Sequence, residues 1–136
     1  MENKLRLEIV TPQGVVFSEE VDEIVAPGSE GEFGVLPGHA PFLTTLKIGM
    51  LIFKKGSETR YLFVSWGYAE VGHDRMLVLT DSAEKSEDID IERALSAKKR
   101  AEERLKQEAN IDHARAVSSL ERATIRIQVA EKKTAK

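Results

Sequence analysis

Three histidines, His39, His73 and His113, are the chain's only imidazoles, and no cysteine accompanies them. A helical metal site needs ligands four residues apart, and neither these spacings nor a carboxylate cluster supplies one. Without cysteine there is no thiolate nucleophile, thiolate zinc site, iron–sulfur cluster or disulfide. Gly28, Gly31 and Gly34 read G-x-x-G-x-x-G. That is neither the GxxxxGK[ST] phosphate loop nor the GxGxxG dinucleotide turn. No GxSxG nucleophile elbow occurs either. Asp and Glu number 23, yet no pair stands out as general acid and base. The expectation is a chain with no catalytic set, a binding or regulatory protein rather than an enzyme.

At 136 residues the chain suits one domain, or one domain and an appendage. A hydrophobic share of 41% with 32% charged residues describes a globular protein. The net charge of −3 argues against a nucleic-acid partner held by phosphate neutralisation. The first residues, MENKLRLEIVTPQG, carry neither an apolar run nor a basic leader, so no signal or transit peptide is expected. No stretch approaches the roughly 20 apolar residues of a bilayer span. Direct membrane insertion is therefore not expected, and a membrane role would run through partner proteins.

Composition changes near residues 82–89. All nine glycines fall at or before Gly72, all four prolines at or before Pro41, and the last aromatic residue is Tyr68. Alanine then becomes common, from Ala94 to Ala135. In KLRLEIV, Leu5, Leu7 and Ile9 alternate with charged residues, the period-two pattern of a half-buried strand. VVF, VDEIVA, FLTTLKI, MLIF, RYLFVSW, YAEV and RMLVLTD follow, with Gly28 to Phe42 as a Gly-rich loop. Short strands separated by turn signals predict a β-sandwich or barrel over residues 1–85. Residues 86–136 predict two helices. Asp88 or Asp90 can cap the first, and Asp112 the second, after a break at Glu108 to Asp112 that Asn110 can terminate. Ile91, Ala94, Leu95, Ala101, Leu105 and Ala109 form one stripe. Ala116, Val117, Leu120, Ala123, Thr124, Ile127 and Ala130 form the other. So short a connection makes the helices antiparallel. An alanine-rich face buries little area, so weak docking onto the β half is expected.

At GSEGEFGVLPGHAPFLTTL, Gly28 to Leu46, the sequence closely resembles the epsilon subunit of F-type ATP synthases. Gly28, Glu30, Gly31, Gly34, Leu36, Pro37, His39, Ala40 and Pro41 match that family's GxEGxxGxLPxHAP-like stretch. TDSAEKSEDIDIERA (Thr80 to Ala94) resembles its junction between β domain and hairpin, and RATIRIQVAEK (Arg122 to Lys132) its second helix. The resemblance spans essentially the whole chain.

The resemblance implies an α+β fold, a flattened β-sandwich of about ten strands followed by an antiparallel two-helix hairpin. It implies a rotor subunit at the foot of the central stalk, peripheral on the cytoplasmic face of the bacterial inner membrane. Such a subunit couples proton-driven rotation of the c-subunit ring, through the gamma subunit, to ATP synthesis. It also restrains ATP hydrolysis when its hairpin extends into the catalytic alpha/beta hexamer. On this resemblance Glu30, Glu32 and His39 face gamma and the c ring, and Arg115, Arg122 and Arg126 meet acidic loops of the beta subunits. No cofactor is required, but ATP is implied as a regulatory ligand, because IDIERA (Ile89 to Ala94) resembles the motif of ATP-binding epsilon subunits. The implied site comprises Glu84, Asp90, Arg93, Arg100, Arg122 and Arg126. Arg93 and Arg100 are seven apart, Arg122 and Arg126 four apart, so each pair shares a helix face. Guanidinium is well matched to phosphate by its planar fork of donors. The residues alone also admit a free-standing ATP-binding regulatory module, or a β-sandwich adaptor whose hairpin forms a coiled coil.

Overall fold

A computed structural model describes residues 4–107 and 112–132. Asn110, expected to end the first helix, and Ala109 of the first stripe lie outside the described residues. The order is β1 (Leu5–Thr11), β2 (Gly14–Val21), β3 (Glu23–Gly28), β4 (Gly31–Val35), β5 (Phe42–Leu46), β6 (Gly49–Lys55), β7 (Glu58–Val71) and β8 (Arg75–Lys85). A 3-10 turn, Ser86–Asp88, leads to α1 (Ile91–Lys106) and α2 (His113–Lys132).

The alternation read in β1 is obeyed: Leu5, Leu7 and Ile9 are fully buried while Arg6 is exposed. β1 pairs with β2 antiparallel and with β8 parallel. β7 is the longest strand and changes neighbours along its length. Residues 58–64 pair with β6, and residues 67–71 pair with β5. β5 and β6 thus lie end to end between β7 and β3. The sheet folds over so that β2 meets β6, with the Phe17 and Phe53 rings 4.7 Å apart. The main core fills this fold with Leu5, Ile24, Leu46, Leu51, Leu62, Val64 and Met76, among others.

Eight continuous strands stand where about ten were expected, and RYLFVSW and YAEV are one of them. The join is a kink. Trp66 is the one non-glycine with positive φ among the described residues (56°), and Gly67 follows at 125°. Thr80 stabilises it from β8. Its Oγ1 lies 2.6 Å from Trp66 O and 2.9 Å from Ser65 O, and accepts from the Ser65 N–H at 3.3 Å. The Gly-rich segment differs from expectation too. It contains β4, so Glu32 sits on an edge strand opposite Pro27 rather than in a loop.

The helices start at acidic caps. Asp90 accepts from Arg93 N–H and Asp112 from Arg115 N–H, each at 3.1 Å. Ala94 and Ala101 of α1 and Ala116, Ala123 and Ala130 of α2 are all buried. Their seven-residue spacing makes one narrow seam along which two antiparallel helices approach closely. Leu95 and Val117, expected in the stripes, are half-exposed instead. Docking uses Ala130 of this seam and otherwise residues outside it. Val129 and Ala130, with Ile125, pack on Ile48, Met50, Tyr61 and Phe63 of the β half and on Ile89 of the junction. The alanine stripe therefore joins the helices, and a smaller mixed aliphatic and aromatic cluster joins the hairpin to the sandwich.

Gly67 is where the kink is most sensitive. A Cβ there would lie 2.0 Å from Leu79 O, in a backbone conformation that side chains avoid. Gly67→Ala is expected to cost about 2–4 kcal/mol in denaturant unfolding. Gly56→Ala, at φ 63° with open space around it, should cost only about 1 kcal/mol.

Candidate functional site

The end of β8, the 3-10 turn and the two helices enclose a cavity of about 400 Å³ lined by Glu84, Asp88, Ile89, Asp90, Arg93, Ala94, Ala97, Arg100 and Arg126. Each lining residue has a local reason for its place. Glu84 lies near the end of β8, directly opposite Phe63 of β7. Asp90 is held at the helix start by its capping bond. Arg93, Ala97 and Arg100 repeat at four and three residues and so share a face of α1. Ala94 and Ala97 are small enough to leave the volume open. Arg126 projects from α2, and its Nε donates to Glu84 Oε1 at 3.1 Å.

The lining carries three guanidiniums and three carboxylates. Glu84 is already paired with Arg126, and one Asp90 oxygen is engaged by the helix N-terminus. Among the described residues, Arg93 and Arg100 form no ion pair. The cavity therefore offers two uncommitted forks of N–H donors and part of a third, an arrangement suited to a polyphosphate. Nothing here matches a metal site: among the described residues no cluster of three His, Cys, Asp or Glu could hold an ion.

Of the six residues implied for this site, five line the cavity. Arg122 does not; it is half-buried and its Nη2 donates to Ser119 Oγ at 3.3 Å. Ile89 and Ala94 bound the IDIERA block; sequence reading missed Asp88 and Ala97 as lining residues, and also Phe63, whose ring underlies Arg126 with the guanidinium carbon 4.4 Å from its centroid. A signal for Phe63 exists. Leu62, Phe63 and Val64 break the alternation of β7, as happens when both faces of a strand are covered, and all three are buried.

The other implied residues lie elsewhere. Glu30 is in the β3–β4 turn and Glu32 on β4, both exposed. His39, in the β4–β5 connection, has Nδ1 2.6 Å from Ala40 O. Since a carbonyl only accepts, Nδ1 carries the proton. Gly38 N–H donates to His73 O at 2.7 Å and anchors that connection. Nearby, Phe33 and Phe42 meet edge to face at 5.3 Å. Arg115 is exposed at the start of α2. Beside the cavity, Glu87 pairs with Arg60 at 2.8 Å and ties the junction to β7. Its carboxyl is held below the ordinary glutamate range first by its own backbone N–H; burial opposes this, and the charge and hydrogen bond of Arg60 lower it further.

A family model described as "ATP synthase, Delta/Epsilon chain, beta-sandwich domain" matches residues 4–86, and one described as "ATP synthase, Delta/Epsilon chain, long alpha-helix domain" matches residues 87–131. An ATP synthase epsilon chain of Nitratidesulfovibrio vulgaris is 55% identical over 130 residues, 95% of this chain and 97% of the relative. That of Geobacter metallireducens is 52% identical over the full length of both. In fold, the chain is similar to one in the mitochondrial ATP synthase of Euglena gracilis, with a TM-score of 0.80 at 22% identity, covering 100% of this chain and 84% of that one.

A lowered folded-state pKa stabilises above the unfolded carboxylate range, and that stabilisation is lost as pH falls through the folded value. Glu87 is expected to titrate below the ordinary glutamate range when its side-chain carboxyl is followed by NMR. In Arg60→Ala its titration should move upward but stay below the ordinary range, because its backbone N–H remains. An unchanged titration would mean that Arg60 does not hold it.

Proposed function

The chain belongs to the ATP synthase delta/epsilon chain family, as an epsilon chain and a non-catalytic subunit, and from that premise we propose that it is a rotor coupler whose hairpin is a nucleotide-sensitive brake. It binds gamma and the c-subunit ring and transmits proton-driven rotation toward ATP synthesis. The end carrying Glu30, Glu32 and His39 faces those partners. Leu43, Trp66 and Tyr68 are exposed on the outer faces of β5 and β7, which supports a protein-binding surface on this half. No helix among the described residues is long and apolar enough to cross a membrane. Attachment to the cytoplasmic face of the inner membrane then runs through those partners. The free-standing sensor and the adaptor are set aside by family membership.

The brake reading is carried by one observation. The arginine-lined cavity sits at the seam that holds the hairpin down, and Arg126 belongs both to its lining and to the docking contact. ATP in the cavity would bridge α1 and α2 to the end of β8 through Arg93, Arg100 and Arg126. An extended hairpin separates these groups, so ATP favours the docked state by its difference in affinity. At about 100 times its dissociation constant, ATP would stabilise docking by about 2.7 kcal/mol. Arg115, Arg122 and Arg126 contact the beta subunits only in the extended state. Arg126 cannot serve both, which makes the two states exclusive.

Calorimetry with millimolar ATP on the intact chain tests the ligand. Heat of binding is expected for the native sequence and its loss for Arg93→Ala with Arg126→Ala; no heat for the native chain would remove ATP from the account. Deleting residues 86–136 should raise ATP hydrolysis by the assembled synthase under conditions where the intact subunit restrains it. Equal activity would remove the brake.

A further inference from the structure

In the β6–β7–β8 ladder, Met50, Phe63 and Glu84 stand in one row as direct cross-strand partners. Phe63 is fully buried beneath α2, in the cluster containing Val129 and Ala130. A ring and a carboxylate thus present themselves side by side to Arg126. The guanidinium carbon is 4.4 Å from the ring centroid, and Nε reaches Glu84 Oε1 at 3.1 Å. A planar cation held at one edge only can still swivel about that bond. Held on a face as well, it keeps a single orientation, and its remaining donors keep one aim.

Phe63 does not line the cavity; Arg126 does. We propose that Phe63 is a positioning residue for nucleotide recognition. The negative face of its ring fixes the Arg126 guanidinium beside Glu84, so that the cavity's affinity for a nucleoside triphosphate depends on the ring's charge distribution and not only on its bulk. This rests on the nucleotide reading above. The physical basis is the attraction between a cation and an aromatic quadrupole, which strengthens when the pair is shielded from water. The Arg126 side chain is 27% exposed, so the pair is largely shielded. An aliphatic side chain of similar size would preserve the apolar cluster and lose this attraction. A second cation follows the same rule further along the helix: Lys132 Nζ lies 5.4 Å from the Tyr61 centroid. Tyr61 and Phe63 are two apart on β7 and face the same way. The strand therefore offers two rings to two cations of α2, and only the one at Phe63 reaches the cavity.

The test uses the full chain with Phe63 replaced by phenylalanines of increasing ring fluorination. Fluorine changes the shape little and makes the ring more apolar, while draining the negative face. ATP is titrated by calorimetry, and thermal unfolding is followed without nucleotide. The dissociation constant for ATP is expected to rise stepwise, by about three- to tenfold at the most fluorinated ring, without a matching loss of thermal stability. Phe63→Tyr should bind ATP nearly as the native chain does, and Phe63→Leu several-fold more weakly. A dissociation constant that stays flat across the series, with ATP bound by the native chain, would overturn the role of the ring and leave the nucleotide reading standing. Absence of binding by the native chain would overturn both.

Discussion

The register of β7 on β8 is the constraint from which the rest of the molecule follows. It sets Phe63 opposite Glu84 and Gly67 opposite Thr80. Side chains along a strand point alternately to opposite faces, so a slip of one residue would turn either Glu84 or Phe63 to the other face and part them. The kink at Trp66 and Gly67 holds the register, because only a residue without a side chain can approach Leu79 O so closely. The same kink lets one strand pair with β6 along its first half and β5 along its second. The fold-over of the sheet and the platform for the hairpin thus share one cause.

The hairpin is built on a division of labour between two apolar surfaces. Alanines at seven-residue spacing let α1 and α2 pack closely, so the pair can remain a unit wherever it sits. The contact with the sandwich is small and is completed by Arg126 and Lys132, each lying over an aromatic ring. Cations can leave such rings without exposing a large apolar area, and they stay well solvated once outside. A contact of this kind can be broken without disturbing the main core, which lies wholly among the strands.

How much of this was legible in the chain depends on the range of the interaction. The alternation of β1, the caps Asp90 and Asp112, and the change from β to helix near residue 86 all follow from neighbours a few residues apart. Glu32 on β4 was not legible, since Gly31 and Gly34 read as loop residues until β3 supplies a partner strand. Leu95 falls on the α1 stripe yet is half-exposed, because periodicity marks a face without saying whether anything covers it. Arg122 belongs to the site that the resemblance implies, yet it is not among the cavity's lining and donates to Ser119 instead.

The amino-acid order by itself determined the two halves, their secondary structure and, through blocks such as GSEGEFGVLPGHAPF and IDIERA, the family to which they belong. These are properties of local pattern and of motif order. Which arginine meets which carboxylate was decided only in three dimensions. Glu84 and Arg126 are 42 residues apart, and Phe63 joins them only after β7 has paired with β8 and α2 has settled on both. Contacts across such separations depend on strand register and helix rotation, which no short stretch of chain encodes.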